Sequence, residues 1–201
     1  MTVAILAAGE FPKCGGRAWE ILASASAVVC CDSAADAYRR RMRREPTAVV
    51  GDLDSLRGRF RNIVKVPCQE TNDLEKAAAW CRAQGYDRPV VLGATGFRED
   101  HTLGNVFRAL NLGLEVVTNY GRFVPLEGRK AFSVEKGAAV SIFAPDSATR
   151  MTSRGLEWPL DGVEFKNLYC ATLNRTTAKR IVLEADRRVY VYFAYPKGVA
   201  K

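Results

Sequence analysis

The feature that most constrains the fold of this chain is an alternation of short apolar runs with helical periodicity over its first 120 residues. Because strands that alternate with helices form parallel sheets, we expect an α/β domain with a mostly parallel sheet. The apolar runs predict buried strands at 3–8, 27–31, 47–51, 63–66, 90–92 and 114–119. The helical patterns between them predict helices at about 16–25, 33–44, 73–84 and 101–112.

The pattern changes after about residue 120, where helical periodicity stops and Gly, Pro, Asp and Asn separate short apolar runs. This pattern predicts a small antiparallel all-β sandwich domain, with a boundary at 119–125. We therefore expect domains at 1–121 and 122–201. The predicted strands of the second domain lie near 122–125, 130–134, 138–143, 163–165, 180–184 and 189–194.

The composition is that of a globular protein, with 48% hydrophobic and 26% charged residues among 201, which excludes a wholly disordered or fibrous chain. The net charge of +8 is concentrated late in the sequence, since residues 121–201 hold 14 basic and 8 acidic side chains. A basic surface fits nucleic acid, an acidic membrane or a phosphate ligand. The arginines at 39–44 lack interleaved aromatic residues, which favours an ordinary solvated helix face over nucleic-acid binding.

The six cysteines include no C-x-x-C pair, so we expect reduced, mostly buried thiols. The first residues lack a basic segment of the kind that opens a secretory signal. No apolar run approaches the ~18 residues of a membrane span. These observations predict a cytoplasmic protein that has no membrane partner.

The first segment whose side chains could bind a ligand is VVGDLDS at 49–55, in which Asp52 and Asp54 follow a buried strand. Loops at the carboxyl ends of parallel strands line the ligand crevice of open α/β sheets. Two carboxylates there could share Mg²⁺, which prefers a few carboxylate oxygens together with water and phosphates. The alternative is a solvated turn with no ligand.

A second segment opens the helix predicted at 73–84. Asn72 can cap this helix while Glu75 reaches back to it, which places Asp73 in the first turn. Asp73 could simply complement the helix dipole. Alternatively, it could be a third oxygen ligand at a helix terminus that is suited to phosphate.

A third segment, LGATGFREDHTLGN at 92–105, places glycines between a strand and a helix. Such a loop lets backbone N–H groups approach an anion, and Arg98 can bind phosphate oxygens through its guanidinium. The segment contains neither G-K-[ST] nor G-x-G-x-x-G. His101 is the only histidine, so a usual zinc site is excluded, and a capping or packing role is the ordinary interpretation.

Together GDLDS, QETNDLEKA and GATGFREDHTLGN, in this order, resemble the thiamine pyrophosphokinase family. The resemblance extends to AGEFP, CCDSAAD, GLEWPL and ATLNRT, and so spans nearly the whole chain. It implies transfer of pyrophosphate from ATP to the primary hydroxyl of thiamine, which gives thiamine diphosphate and AMP. It also implies a nucleotide-binding catalytic domain at 1–121, a thiamine-binding sandwich at 122–201, and a homodimer that binds thiamine between its subunits.

The resemblance further implies roles for individual residues. It assigns three of them to Mg²⁺, a larger set to the ATP phosphates, and the rest to thiamine. Among the last group, Gln69 is implied to reach thiamine from the partner subunit. The implied magnesium ligands are Asp52, Asp54 and Asp73; the ATP site comprises Asp32, Thr95, Gly96, Arg98, Asp100 and His101; the thiamine site comprises Gln69, Thr172 and Asn174. The aspartates of the metal site, Arg98 and Asp100 form the implied catalytic set, in which Asp100 is the hypothetical acceptor of the hydroxyl proton.

The chain departs from the family pattern at several positions. Cys68 stands where an aspartate is usual, Leu173 where a serine precedes the asparagine, and Ser33-Ala34 where D-G-G or D-G-A is common. Trp158 lies in the GLEWPL turn without an assigned role. A metal-dependent phosphohydrolase or nucleotidyltransferase acting on another substrate is the alternative enzyme, and a basic nucleic-acid-binding protein is the alternative of a different class.

Overall fold

The computed structural model describes residues 1–196, and in it the chain divides into two compact units. The first unit covers Met1–Asn119 and the second begins at Tyr120. The end of the second predicted domain, at 197–201, lies outside the described residues. None of the helices in the described part has the length and apolar character that a membrane span requires.

The first unit is built on a parallel sheet with the strand order β6-β5-β1-β2-β3-β4. Strands β1, β2 and β3 are buried along their whole length, as expected for apolar runs that are covered on both faces. The mostly parallel sheet predicted from the sequence is therefore confirmed. Its strands are β1 Val3–Leu6, β2 Ala27–Cys31, β3 Ala48–Gly51, β4 Ile63–Lys65, β5 Val90–Leu92 and β6 Val116–Val117.

All four predicted helices of the first unit are present, as α1 Arg17–Ser24, α2 Ala34–Met42, α3 Asp73–Ala83 and α4 Glu99–Asn111. The start of α3 is fixed by the predicted capping box. The Asn72 side chain accepts from the Glu75 N–H at 3.0 Å, and the Glu75 carboxylate accepts from the Asn72 N–H at 3.1 Å. This cap sets where Asp73 sits relative to the sheet.

The strand order creates a crevice beside β1. From β1 the chain adds β2, β3 and β4 on one side, and then crosses back to place β5 on the other side. The chain therefore leaves β1 and β5 in opposite directions along the sheet, toward β2 and β6 respectively, and a ligand crevice opens at such a switch point.

The second unit is an antiparallel, strand-rich domain ordered β10-β8-β11-β7, with β9 paired to β11. A register shift between Ala185 and Val189 divides β11, so that its first half pairs with β9 and its second half with β8. Phe132 and Phe193 pack in its core with ring centroids 5.1 Å apart. The strands are β7 Gly121–Ser133, β8 Ala139–Phe143, β9 Met151–Arg154, β10 Ala171–Arg175 and β11 Arg180–Ala194.

Several predicted strands of this unit were wrong in detail. Residues 163–165 form no strand; Phe165 reaches the core from a loop, which explains its apolar signal. The runs at 122–125 and 130–134 belong to the single strand β7, and those at 180–184 and 189–194 belong to β11. Strands β9 and β10 were missed because β9 is mostly polar and β10 has a register shift that breaks its alternation.

The six cysteines are free thiols, but only half of them are buried. Cys30, Cys31 and Cys81 lie in the first unit's core, whereas the other three are exposed, so the prediction of mostly buried thiols was only half right. Burial raises the pKa of Cys81 to about 11, which keeps that thiol protonated and unreactive.

Candidate active site

The crevice of the first unit contains a cavity of about 350 Å³ at the carboxyl ends of the strands. It is bordered by the segments that follow β1, β2, β3, β4 and β5. The polar side chains that line it are those of Asp32, Ser33, Ser55, Asn72, Asp73, Arg98, His101 and Asn105. Most of the residues that the sequence assigned to ATP and metal are thereby brought to one place.

Glycines hold the loops after β1 and β5 in backbone contact. The Gly9 N–H donates to the Gly93 carbonyl at 2.7 Å, and the Glu10 N–H donates to the Thr95 carbonyl at 2.7 Å. A Cβ atom at Gly9 would lie 2.4 Å from the Thr95 carbonyl oxygen, so a side chain there would force the loops apart. Thr95 thus contributes its backbone to the rim, whereas Gly96 lines the cavity itself.

Three carboxylates converge beside this cavity, and two of them, Asp32 and Asp73, line it. Asp32 follows β2, Asp52 follows β3, and Asp73 begins α3; one oxygen of each lies within 4.8 Å of the others. The sequence predicted Asp52 and Asp73 in such a group, but with Asp54 as the third member. Asp54 is exposed, and its N–H donates to the Asp52 carboxylate at 3.3 Å in a turn that has Leu53 at a φ of 70°. The structure thus places Asp32, rather than Asp54, beside the other two.

Asp32 has the surroundings of a cation ligand. Its side chain is 5% exposed, and one oxygen accepts from the Ser55 hydroxyl at 2.7 Å and from the Ser55 N–H at 3.2 Å. The other oxygen, Oδ1, is buried without a hydrogen-bond partner. A buried carboxylate oxygen without a partner is costly, and a bound cation would satisfy it. The donor set therefore fits a hard, oxygen-preferring ion such as Mg²⁺.

Lys76 is a member of this cluster that the sequence analysis missed. Its ammonium group lies 3.1 Å from Asp73 Oδ1 and 3.9 Å from Asp52 Oδ2, and its side chain is only 3% exposed. Burial raises the pKa of Asp73, and the nearby carboxylates add to this effect, while Lys76 opposes it. The i, i+3 spacing of Asp73 and Lys76 on a capped helix was the signal that could have identified the pair.

Arg98 and His101 line the cavity, and Asp100 forms an ion pair with Arg98. The Asp100 carboxylate accepts from Arg98 Nε at 3.1 Å and from an Arg98 terminal nitrogen at 2.5 Å. The hydrogen bond from Arg98 lowers the pKa of Asp100 to about 2. A carboxylate with so low a pKa is a weak proton acceptor at neutral pH, so this geometry favours orientation of Arg98 over general-base catalysis.

The residues that the resemblance assigned to thiamine lie in two places. Gln69 lines a cavity of about 320 Å³ together with Asp52, Asp73 and Lys76, which puts it beside the carboxylate cluster. Thr172 and Asn174 belong to β10 of the second unit. The Thr172 hydroxyl donates to the Tyr169 carbonyl at 2.9 Å.

Asn174 is 4% exposed and uses its amide within its own chain. Its Nδ2 donates to the Trp158 carbonyl at 2.7 Å, and its Oδ1 accepts from the N–H groups of Trp158 at 3.2 Å and Arg175 at 2.8 Å. These bonds fix the backbone of a residue whose indole is 55% exposed. Beside Asn174, the bulge in β10 holds Leu173 at a φ of 58° with 84% of its surface exposed.

Comparison with known protein families finds two matching models. The model for the thiamin pyrophosphokinase catalytic domain matches residues 18–118, and the model for the thiamin pyrophosphokinase substrate-binding domain matches residues 121–192. No curated protein sequence matches the chain.

Solved structures of similar fold are described as thiamin pyrophosphokinases. The one from Bacillus subtilis has 16% sequence identity and a TM-score of 0.76, covering 98% of this chain and 100% of its own. The one from Geobacillus thermodenitrificans has 20% identity and a TM-score of 0.76, with 100% of both chains covered. The yeast structure has 14% identity and a TM-score of 0.76, covering 96% of this chain and 86% of its own. At these identities the likeness establishes the shared fold.

Proposed function

The chain belongs to the thiamin pyrophosphokinase family, and we propose that it transfers pyrophosphate from ATP to the hydroxyl of thiamine, releasing AMP. The observation that carries this proposal is the unpartnered, buried Oδ1 of Asp32, which belongs to a group of three carboxylates and lines a cavity that Arg98 also lines. Such a combination suits a metal-bound polyphosphate better than an uncharged substrate.

Asp32, Asp52 and Asp73 are the residues that would hold Mg²⁺. When bound, Mg²⁺ supplies positive charge that offsets the negative charge of the phosphates. Lys76 offsets part of the negative charge of the cluster itself, and so lowers the repulsion between the carboxylates and an incoming polyanion. Asp54, which the resemblance also assigns to Mg²⁺, lies in the same turn as Asp52, and its N–H donates to the Asp52 carboxylate.

Arg98 is the side chain proposed to bind the phosphates, with His101 and the backbone of Gly96 beside it. Asp100 orients the guanidinium by accepting from two of its nitrogens. Phosphoryl transfer needs little covalent help from the protein, and depends mainly on positioning and on stabilising charge. Arg98 and the metal site together provide these functions, with no strong base required.

The second unit is proposed to bind thiamine. Thiamine is an aromatic cation, and an exposed indole attracts such a group through its π face. Trp158 is exposed and is fixed by Asn174, so the amide of Asn174 supports the site by holding that residue in place. Gln69, beside the carboxylate cluster, is proposed to contact thiamine that is held by the second unit of the partner in a homodimer.

A product assay with thiamine and Mg·ATP tests the reaction. We expect thiamine diphosphate and AMP in equal amounts. Formation of ADP or of free pyrophosphate would instead support the alternative of a phosphohydrolase or nucleotidyltransferase. Asp52→Asn is the matched control, because it removes a charge from the carboxylate cluster while preserving the shape of the side chain.

Complementation tests the shared site. Gln69→Ala and Trp158→Ala are each expected to be inactive as homodimers, while their heterodimer keeps one intact site and recovers part of the activity. Isolated heterodimers without any activity would argue against thiamine binding between subunits.

A cytoplasmic location is also proposed, since free thiols persist in a reducing compartment, and imaging of the tagged protein in cells checks it.

A further inference from the structure

Two helices begin beside the cavity of the candidate active site, and one amide side chain ties them together. Helix α3 begins at Asp73, a member of the carboxylate cluster, and α4 begins directly after Arg98. Asn72 Nδ2 donates to Asn105 Oδ1 on α4 at 3.0 Å. Asn105 Nδ2 in turn donates to the Ala94 carbonyl at 3.4 Å, in the loop that follows β5. Asn105 thus joins the start of α3 to the loop that leads to Arg98.

We propose that Asn105 is a positioning residue that holds the metal-binding carboxylates at a fixed separation from the phosphate-binding Arg98. Both ends of its amide are engaged by protein atoms, so it acts through the segments that it joins. The proposal rests on the proposed function, and identifies the part of the chain that keeps the two binding groups aligned with each other.

A second contact between the same helices makes this connection rigid. The Glu75 carboxylate, which accepts from the Asn72 N–H, also accepts from a terminal nitrogen of Arg108. Asn105 and Arg108 are three residues apart on α4, so they lie on one face of that helix. Two contacts along one helix face restrict rotation as well as separation. A shift of the α3 cap would therefore also move α4.

The loop that carries Arg98 is fixed to α4 by a further side chain. The Thr102 hydroxyl accepts from the Gly96 N–H at 3.1 Å and donates to the Arg98 carbonyl at 3.0 Å. Together with the hydrogen bond from Asn105 to Ala94, these contacts make the loop and the first turns of α4 a single body. Asn105 is the side chain through which this body is bonded to the cap of α3.

The expected consequence is specific to a ligand that contacts both parts of the site. Mg²⁺ alone needs the carboxylates, and a polyphosphate without metal needs Arg98, so neither depends on the separation between the two. Magnesium tripolyphosphate contacts both at once, and a ligand held at two points binds well only where these points are spaced to match it. Loss of the link should therefore weaken binding of the combined ligand selectively.

Calorimetry with the full chain tests this with three probes, which are Mg²⁺ alone, inorganic tripolyphosphate with EDTA, and magnesium tripolyphosphate. Asn105→Ala removes both hydrogen bonds of the amide. We expect it to weaken binding of magnesium tripolyphosphate about tenfold, or about 1.4 kcal/mol, the size expected when a partly buried hydrogen bond is lost. The affinities for the other two probes should change less than about twofold. A merely structural role would weaken binding of all three probes alike.

Asn72→Ser is a second variant that keeps the test valid if Asn105→Ala folds poorly. Serine caps a helix about as well as asparagine but lacks the Nδ2 donor, so the helix start is kept and the link to Asn105 is lost. The same selective weakening is expected. The double variant should bind no more weakly than Asn105→Ala, because both changes break one link. Leu103→Ala, at an exposed position of α4, is the matched control and should change none of the three affinities.

Two results would overturn the proposal in variants that thermal unfolding shows to be folded. One is unchanged binding of magnesium tripolyphosphate, and the other is equal weakening of all three probes. Additive losses in the double variant would likewise contradict a shared link between Asn72 and Asn105.

The product assay separates this inference from the proposed function. Thiamine diphosphate made by the parent protein, together with normal binding of all three probes by the variants, would refute the positioning role alone. Selective loss of magnesium tripolyphosphate binding in variants of a protein that makes no thiamine diphosphate would support the positioning role and refute the proposed reaction.

Discussion

Gly51 is the residue whose replacement tests the geometry of the carboxylate cluster most directly. It ends β3, and a Cβ atom there would lie 3.2 Å from Asp32 Cβ and 3.2 Å from both Cγ and Oδ1 of Asp73. Carbon atoms in contact prefer about 3.5–4.0 Å, so Gly51→Ala must displace the two aspartates by at least about 0.3 Å. Glycine is thus the residue that allows these carboxylates to approach each other.

The expected effect on metal binding follows from the demands of Mg²⁺, which binds oxygens at about 2.0–2.1 Å in near-ideal octahedral geometry. A displacement of this size should weaken Mg²⁺ binding by about 10–100-fold, the range seen when the support of metal ligands is disturbed. Crowding of a buried strand should also lower the free energy of unfolding by about 1–3 kcal/mol. Calorimetric titration with Mg²⁺ and thermal unfolding measure the two effects separately.

Gly104→Ala is the matched control, since a Cβ atom at Gly104 meets nothing within 4 Å. This substitution lies within α4 and should raise the free energy of unfolding by up to about 1 kcal/mol, with Mg²⁺ affinity unchanged. Excess Mg²⁺ should restore part of the activity of Gly51→Ala, which a misfolded protein would not show. A Gly51→Ala protein that is folded and binds Mg²⁺ normally would refute the assignment of Asp32 and Asp73 as ligands.

Asp52→Asn should reduce turnover at least about 100-fold, whereas Asp54→Asn should have a smaller effect, because Asp54 is exposed and lies outside the group of three carboxylates; steady-state kinetics at several Mg²⁺ concentrations compare them. Asn174→Ala should raise the KM for thiamine and leave the KM for ATP unchanged, because it releases the backbone of Trp158; it should also destabilise the chain by about 1–3 kcal/mol in thermal unfolding. Mg²⁺ affinity should fall as the pH is lowered from neutral, because the raised pKa of Asp73 lets protons compete with the cation at a higher pH than at an exposed aspartate; calorimetry at successively lower pH measures it, and a flat profile would contradict it.

The parallel sheet could be predicted because its strands β1, β2 and β3 are apolar on both faces, and the start of α3 could be predicted because Asn72 and Glu75 satisfy its cap locally. The grouping of Asp32 with Asp52 and Asp73 could not be predicted from the sequence. It depends on the contact between the ends of β2 and β3 and on the turn at Leu53, which directs Asp54 away. Short-range spacing contains no information about either feature.

The second unit was harder to predict for a related reason. Phe165 carries the apolar signal of a strand but is buried from a loop, and the bulge at Leu173 interrupts the alternation of β10. The role of Asn174 was equally hidden, since its partner Trp158 is 16 residues away in the sequence. Contacts over such separations are set by tertiary packing.

The division of β11 has a consequence for how the second unit folds. The two halves of β11 pair with different neighbours, while β7 runs alongside both, so β8 and β9 both depend on the same pair of strands. In the sequence, β7 and β11 are separated by β8, β9 and β10, and their pairing must close a long loop before the sheet is complete. We therefore expect this unit to fold slowly for its size and to unfold in a single cooperative step, with the most slowly exchanging amides in the middle of the β7 and β11 pair.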